Sequence, residues 1–193
     1  MNKPVGYDTA QIFGQAQILP AGGYKCIIKN AVCAKTQNQK EYLKLEIDIA
    51  EGEYKDFYAN KHKNDTRENK KWSGTWTIFI EGYEPETTNR VFKGLIELIK
   101  QSNENFTFQW NVEGNEKSLI GKKIGIVFRV EEFMTQDGQI KKATKPYFAV
   151  KYDDVEKVQA PPEKLLNNSN EKSLDTTIDS ELYMIDIENN LPF

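Results

Sequence analysis

Alternating apolar and polar residues along the chain predict a mainly β protein. The clearest pattern runs from Leu43 to Ile49, where Leu and Ile alternate with Lys, Glu and Asp. This period of two is typical of a strand with one face buried and one face in solvent. Four further strands are predicted, at 24–36, 75–80, 123–133 and 146–152. Asp137-Gly138 lies between the last two and predicts a hairpin turn.

A helix is predicted over residues 86–103, between the third and fourth strands. Thr87 or Thr88 can cap its start. Its apolar residues recur at helical spacing and form one stripe: Val91, Leu95, Leu98 and Ile99. The predicted order is therefore β-β-β-α-β-β, which is the order of the OB-fold, a five-stranded and partly open barrel that binds oligonucleotides. A β-sandwich with an inserted helix is also compatible with this pattern.

Charge and composition divide the chain into a body and a tail. Residues 1–152 carry 23 Lys and Arg against 19 Asp and Glu, whereas residues 153–193 carry 3 against 10. From Pro161-Pro162 onward the sequence is dominated by Asn, Ser, Asp and Glu, and it has too few apolar residues to offset the entropy of ordering. We therefore predict an OB-fold DNA-binding domain over 1–158 and a disordered acidic tail over 159–193. A basic body with an acidic tail suits a highly negative partner.

The stretch from 53 to 74 shows no consistent period and is predicted to be a long loop. Loops of this length are uncommon in compact domains unless they bind something or are disordered. Single strands need cations for phosphates and flat rings for bases, and residues 53–76 supply both. The candidate aromatic residues are Tyr54, Phe57, Tyr58, Trp72 and Trp76. The candidate cations nearby are Lys61, Lys63, Arg67, Lys70 and Lys71.

Further candidate cations lie on the fourth predicted strand and just before the fifth. Lys141, Lys142 and Lys145 come after the last hairpin, a loop that borders the binding face of an OB-fold. Arg129 alternates with Phe128 on the fourth strand and is predicted to point toward a groove. Two alternatives remain open: a solvated loop with some aromatic rings in the core, and Trp76 as a core residue of the third strand.

Motifs of nucleotide-binding enzymes and membrane-spanning segments are missing from the sequence. A metal-dependent nuclease, with carboxylates from distant segments, is left as a third alternative. The sequence contains neither a GxxxxGK[ST] phosphate loop nor a GxGxxG motif. His62 is the one histidine, and Cys26 and Cys33 are spaced for opposite faces of one strand, so no zinc ligand set is formed. The longest apolar runs fall far short of the roughly 20 residues that span a bilayer. We predict a cytoplasmic, non-enzymatic protein with no cofactor, no metal and no membrane association.

Two motifs resemble a family of small proteins encoded by phages of Gram-positive bacteria. One is Arg90-Val-Phe-Lys-Gly94, continuing to Ile99 and Ser102-Asn103. The other runs from Leu119 to Phe128, followed by Glu131-Glu132-Phe133. The likeness spans roughly residues 18–160. Members of this family are found among replication and recombination genes and are regarded as single-strand DNA-binding. The resemblance implies that function here but assigns no binding residue.

The end of the chain resembles the C-terminal tip of bacterial single-strand DNA-binding proteins. In that family an acidic stretch ends in an aliphatic residue and Pro-Phe, and the tip docks on replication and repair enzymes. Asp186 and Glu188 match the acidic part, and Leu191, Pro192 and Phe193 match the apolar anchor. Asn189-Asn190 stands where more acid is expected. The alternative is a terminal strand or short helix that packs back on the domain.

These observations predict a protein that coats single-stranded DNA in phage replication or recombination and recruits partner enzymes through its tail. The alternative is a recombination mediator or adaptor that binds protein partners and contacts DNA weakly. The body's modest excess of cations favours this alternative.

Overall fold

The computed structural model describes residues 3, 4, 7, 18–84 and 87–166. Each strand is bounded as follows: β1 Gly22–Lys35, β2 Glu41–Ile49, β3 Thr75–Phe79, β4 Lys123–Met134 and β5 Ile140–Val150. Two α-helices, α1 at Phe57–Asn64 and α2 at Arg90–Ser102, lie on either side of β3 in the sequence. Short 3₁₀ helices occupy Asn115–Leu119 and Tyr152–Lys157.

The five strands form one antiparallel sheet in the order β3-β2-β1-β4-β5. The prediction of a mainly β protein with five strands is confirmed. The central strand β1 pairs with β2 along most of its length and with β4 at its beginning, and a bulge lies between Ile28 and Asn30. β3 and β5 are therefore the end strands, and they come close to each other. Across the described ranges, no β-bridge joins these two strands.

The core joins buried side chains of all five strands with those of α1, α2 and the first 3₁₀ helix. Alternation along β2 buries Leu43, Leu45 and Ile47, as the sequence predicts. The β4–β5 hairpin turns at Asp137-Gly138, also as predicted, and Gly138 takes a φ of 78° that favours glycine. β5 begins at Ile140, six residues before the predicted start, because its first half pairs with β4 out to Met134.

The buried stripe of α2 differs from the predicted one. Leu95 and Ile99 are buried as expected, but Phe92 and Ile96 accompany them, and Val91 is exposed. The helix begins after Asn89, whose side-chain oxygen accepts hydrogen bonds from the N–H groups of Val91 and Phe92.

The prediction of a loop over 53–74 is wrong for its first half, where α1 forms. Its sequence has little amphipathic patterning, and Phe57 and Tyr58 are its two buried residues. An eight-residue helix is marginal without tertiary contacts, and α1 depends on a carboxylate supplied by β2, described below.

The chain after the second 3₁₀ helix returns to the sheet. Lys164 forms a parallel bridge with Glu131 on β4, and its N–H and C=O bond the backbone of Val130 and Glu132. Described backbone pairing therefore runs past residue 158, where the sequence placed the end of the folded domain. Within the described ranges, no helix is both long enough and apolar enough to cross a membrane.

Candidate nucleic-acid interface

Asp48 fixes the position of α1 against the sheet. This buried carboxylate accepts hydrogen bonds from the N–H groups of Ile49 and Tyr58 at 2.9 Å and of Ala59 at 3.1 Å. Burial raises the pKa of Asp48, and the three N–H donors act in the opposite direction. The donors from Tyr58 and Ala59 belong to the first turn of α1, so a β2 side chain satisfies backbone groups that a helix start leaves unpaired.

Tyr58 anchors the same helix from its other side. Its ring lies against Gly74, where an added Cβ would come within 2.5 Å of the tyrosine Cδ2 and of the Ile47 carbonyl oxygen. The absence of a side chain at Gly74 therefore lets α1 sit directly beside the start of β3.

A groove of about 590 Å³ lies where α1, β3 and β5 meet. We call it the β3–β5 groove. Its lining includes Lys61 from α1, Thr75, Trp76 and Thr77 from β3, and the β5 segment from Lys142 to Pro146. Leu19 closes one side, and its carbonyl oxygen accepts a 2.5 Å hydrogen bond from the Thr144 hydroxyl. Six predicted binding residues from three separate segments thus meet at this groove: Phe57, Tyr58, Lys61, Trp76, Lys142 and Lys145.

The β5 lysines of this groove carry carboxylate partners. Lys142 pairs with Glu163 at 2.5 Å and Lys145 pairs with Glu131 at 3.1 Å. The hydrogen bond that Lys142 donates to the Glu163 carboxylate raises the pKa of Lys142. Burial alone would raise the pKa of Glu131, but Arg129 and Lys145 outweigh it and hold that pKa below its usual value. Both lysines remain about half exposed, so a phosphate can compete for them.

A predicted role in a groove would require Arg129 to be accessible, but the structure buries it. It pairs with Glu131 at 3.0 Å and lies 3.7 Å above the Tyr147 ring centroid. A guanidinium stacked on an aromatic face and paired with a carboxylate is held rigidly. Arg129 therefore orients Glu131, and through it Lys145, beside the groove.

Most of the predicted stacking aromatics serve the core instead. Phe57, Tyr58 and Trp76 are buried, and Trp76 is only 8 % exposed at the groove. Tyr54 packs partly buried against Phe57, with ring centroids 6.3 Å apart. Phe57 and Tyr58 are buried because α1 packs on the sheet, which the loop prediction did not anticipate, whereas Trp76 is a core residue of β3, as the alternative interpretation held.

Trp72 has an intermediate position. Its indole Nε1 donates a 2.9 Å hydrogen bond to the Ile47 carbonyl, and its ring lies 5.6 Å from that of His62 at a tilt of 40°. The indole is thus fixed in orientation while part of its surface stays accessible.

The remaining predicted cations surround this region without lining the groove. Lys63, Lys70, Lys71 and Lys141 are exposed. Arg67 forms a 2.6 Å ion pair with Asp65, which holds the pKa of that carboxyl well below its usual range. These side chains add positive charge near α1 and the β4–β5 hairpin, with Arg67 partly neutralised.

The structure also reveals a surface that our sequence reasoning missed, on the outer face of β2 and β3. Tyr42 pairs across the strands with Phe79, and Lys44 pairs with Thr77. The two rings meet edge to face with centroids 6.4 Å apart, and Phe79 is 45 % exposed. We call these four residues the outer platform. The β2 alternation that predicted the core also predicts this opposite face, since Tyr42 and Lys44 are in its exposed phase.

The predicted partner-binding residues Asp186, Glu188, Leu191, Pro192 and Phe193 lie outside the described residues.

Comparison with known families gives one match. Residues 5–78 match the model of a family described as a protein of unknown function, DUF669. The matched range contains β1, β2 and α1 and ends within β3, and it covers less than half of the chain. No curated protein matches the sequence.

Proposed function

We propose that this protein binds single-stranded DNA without strong sequence preference and performs no catalysis, acting in phage DNA replication or recombination. The observation that carries the proposal is the convergence of Lys61, Lys142 and Lys145 with Trp76 at the β3–β5 groove. The phage setting rests on the resemblance of the two motifs beginning at Arg90 and Leu119. The acidic Leu-Pro-Phe ending supports recruitment of replication or recombination enzymes through the tail.

The proposal includes an OB-type barrel. The strand order β3-β2-β1-β4-β5, with α2 between β3 and β4, is the order obtained when a five-stranded OB barrel is opened between its third and fifth strands. The approach of β3 to β5 supports closure along the groove. In OB-folds the face of strands 2 and 3 binds the oligonucleotide, and here that face is the outer platform.

Groove and platform supply complementary parts of single-strand recognition. Lys61, Lys142 and Lys145 offer ammonium groups to phosphates, and binding would release counterions and make affinity depend on salt. Phe79 and Tyr42 offer ring faces to bases, and stacking tolerates any sequence because every base has a π-face. Thr77 belongs to both surfaces, so one bound strand can contact them together.

The first test is a fluorescence titration that follows tryptophan quenching. The ligands are an oligo-dT strand and a matched duplex, each at low and at moderate salt. We expect quenching by the single strand alone, weakening as salt rises. Equal affinity for the duplex, or no response to either ligand, would contradict the proposal.

Two triple variants locate the site. Replacing Lys61, Lys142 and Lys145 by alanine should weaken binding and reduce the salt slope by about 2, since each single-strand phosphate contact contributes roughly 0.7. The matched control replaces Lys93, Lys151 and Lys157, which are exposed and do not line the groove. The control removes the same charge, so an equal loss would mean that net charge and not the groove governs affinity.

A protein-binding adaptor is the second candidate, favoured by a specific observation. The β5 lysines of the groove are already paired with Glu131 and Glu163, which lowers the positive charge available to DNA. The groove also lies between two end strands, an arrangement that suits an extended peptide adding to a sheet edge. If the protein is an adaptor, we expect weak, salt-insensitive DNA binding together with tight binding of a recombination protein.

A further inference from the structure

A second concavity lies at the other end of β3, under the end of the β1–β2 hairpin. Its volume is about 380 Å³, and α2, the first 3₁₀ helix and the segment 108–111 complete its lining. Phe92, Phe108 and Trp110 form an aromatic wall in which Trp110 meets Phe108 edge to face at 4.6 Å and Phe92 at 6.3 Å. We call this the Trp110 pocket.

Trp110 is unusual among the described tryptophans. It is 56 % exposed, whereas Trp76 is buried and the Nε1 of Trp72 is committed to Ile47. An exposed indole backed by two buried rings presents a flat surface at little cost in side-chain entropy, because its neighbours already restrict it. Such a ring is suited to stacking.

The polar part of the lining holds two carboxylates, Glu41 and Glu116, against one ammonium group, because Lys35 also lines the pocket and pairs with Glu41 at 3.1 Å. Glu41, Glu116, Asn111 and Asn115 surround the aromatic wall, and the Nδ2 of Asn115 donates to the Gln109 carbonyl at 2.9 Å. Burial and then the charges of Glu116 and Glu41 raise the pKa of the Cys33 thiol in the same pocket. With Lys35 paired to Glu41, Glu116 leaves the lining with a net negative charge, which disfavours a phosphate, whereas a neutral, flat group with amino donors fits.

The pocket continues from the outer platform. Ala34 pairs with Tyr42 in the platform's cross-strand row and also lines the pocket. Phe79 and Ile80 are consecutive, and the first belongs to the platform while the second lines the pocket. A strand whose bases stack on Phe79 would reach the pocket by continuing along this shared edge at Ala34.

We propose that the Trp110 pocket holds one unstacked base of the bound single strand and favours bases that carry an exocyclic amino group. This inference rests on the proposed DNA-binding function and adds a base preference to it. A volume of about 380 Å³ lies at the small end of the roughly 300–1,000 Å³ of small-molecule sites, which suits a single base. Carboxylate and amide oxygens accept from the amino groups of cytosine, adenine and guanine, and thymine has none to offer.

The test uses the full chain labelled with 5-fluorotryptophan, so that ¹⁹F resonances report Trp72, Trp76 and Trp110 separately. Trp110→Phe assigns the third resonance. Short oligo-dC and oligo-dT strands are titrated, followed by oligo-dC strands in which one nucleotide at a time is abasic. We expect the Trp110 resonance to shift more with dC than with dT, and to lose its shift when one particular nucleotide lacks its base.

Variants give a second readout. Trp110→Ala should weaken dC binding about fivefold or more, and Glu116→Gln should reduce the preference for dC over dT while leaving dT affinity similar. Val112→Ala is the control, since Val112 is 55 % exposed nearby but does not line the pocket. It should bind both strands as the parent chain does.

The outcomes separate this inference from the function on which it rests. Suppose that both strands bind, that the groove triple variant weakens their binding, and that the Trp110 resonance does not shift. The pocket inference is then overturned, and the proposal of DNA binding stands. The same holds if Trp110 shifts equally for dC, dT and every abasic strand. If no strand binds, both proposals fail.

Discussion

The N–H of Tyr58 donates a 2.9 Å hydrogen bond to the Oδ1 of Asp48, ten residues earlier in the chain. This contact holds α1 on the sheet and thereby places Lys61 beside β3 and β5. A structural carboxylate and a candidate DNA-binding lysine are linked through one short helix.

Replacing Asp48 by alanine should detach α1. Three buried or half-buried N–H donors would lose their acceptor, and an unsatisfied buried donor costs about 1–3 kcal/mol. For Asp48→Ala we expect a lower urea midpoint of unfolding and, in the absence of urea, weaker binding of single-stranded DNA. Asp153→Asn, at an exposed carboxylate, is the control and should change neither quantity. Unchanged stability of the Asp48 variant would show that α1 is held by its aromatic residues alone.

Gly74 and Gly94 should respond in opposite directions to alanine. At Gly74 the added Cβ meets the Tyr58 ring and the Ile47 carbonyl at 2.5 Å, so overpacking should lower the free energy of unfolding by about 1–3 kcal/mol. At Gly94, inside α2, nothing lies within 4 Å, and alanine should raise it by about 0.5–1 kcal/mol. Chemical denaturation of both variants measures the two changes in the free energy of unfolding. A destabilised Gly94→Ala protein would contradict the open surroundings of that position.

Phe79→Ala tests the outer platform. Loss of one stacking partner should weaken oligo-dT binding by about 1 kcal/mol or more, roughly fivefold, while stability changes little because the ring is half exposed. Val91→Ala removes an exposed apolar side chain from α2 and serves as the control. Equal affinities for the two variants would remove the platform from the binding site.

Glu163→Gln should strengthen DNA binding by freeing Lys142. An exposed ion pair is weak, so we expect about a twofold to fivefold gain at low salt that fades as salt rises. Glu97→Gln is matched to it, because Glu97 pairs with Lys100 on α2 away from the groove. A gain of the same size in both variants would point to net charge instead of the groove.

Glu51 should contribute to the acid sensitivity of the fold. The Tyr152 hydroxyl donates to it at 2.8 Å and Lys25 lies at 3.3 Å, and these partners lower the pKa of Glu51. Because its pKa is lower folded than unfolded, its stabilising effect is complete above the ordinary glutamate range and is lost as pH falls through the folded value. Between about pH 6 and pH 3.5, Glu51→Gln should therefore lose less stability than the parent chain. Urea midpoints across this range measure the difference, and parallel curves would argue against it.

The alternation from Leu43 to Ile49 predicts β2 and its buried face, and its polar phase, continued back to Tyr42, places Tyr42 and Lys44 on the outer platform. Asp48 belongs to the same polar phase but is buried, because it accepts hydrogen bonds from the start of α1. Local chemistry likewise predicted the Asp137-Gly138 turn and the position of α2. These features depend on residues only a few positions apart, so hydrophobic periodicity and turn preference are enough to predict them.

The groove and α1 required the folded chain. Lys61 and Lys142 are brought together by the sheet order, which places β3 and β5 at its two ends, and no local pattern encodes that proximity. Phe57 and Tyr58 look like exposed aromatics in a polar stretch, yet they are buried because Asp48 caps their helix and Gly74 makes room for it. The sequence by itself determined the strands, the turn and the charge of the body. Only the tertiary structure decided which cations share a surface and which rings remain exposed, since both depend on contacts between segments far apart in the chain.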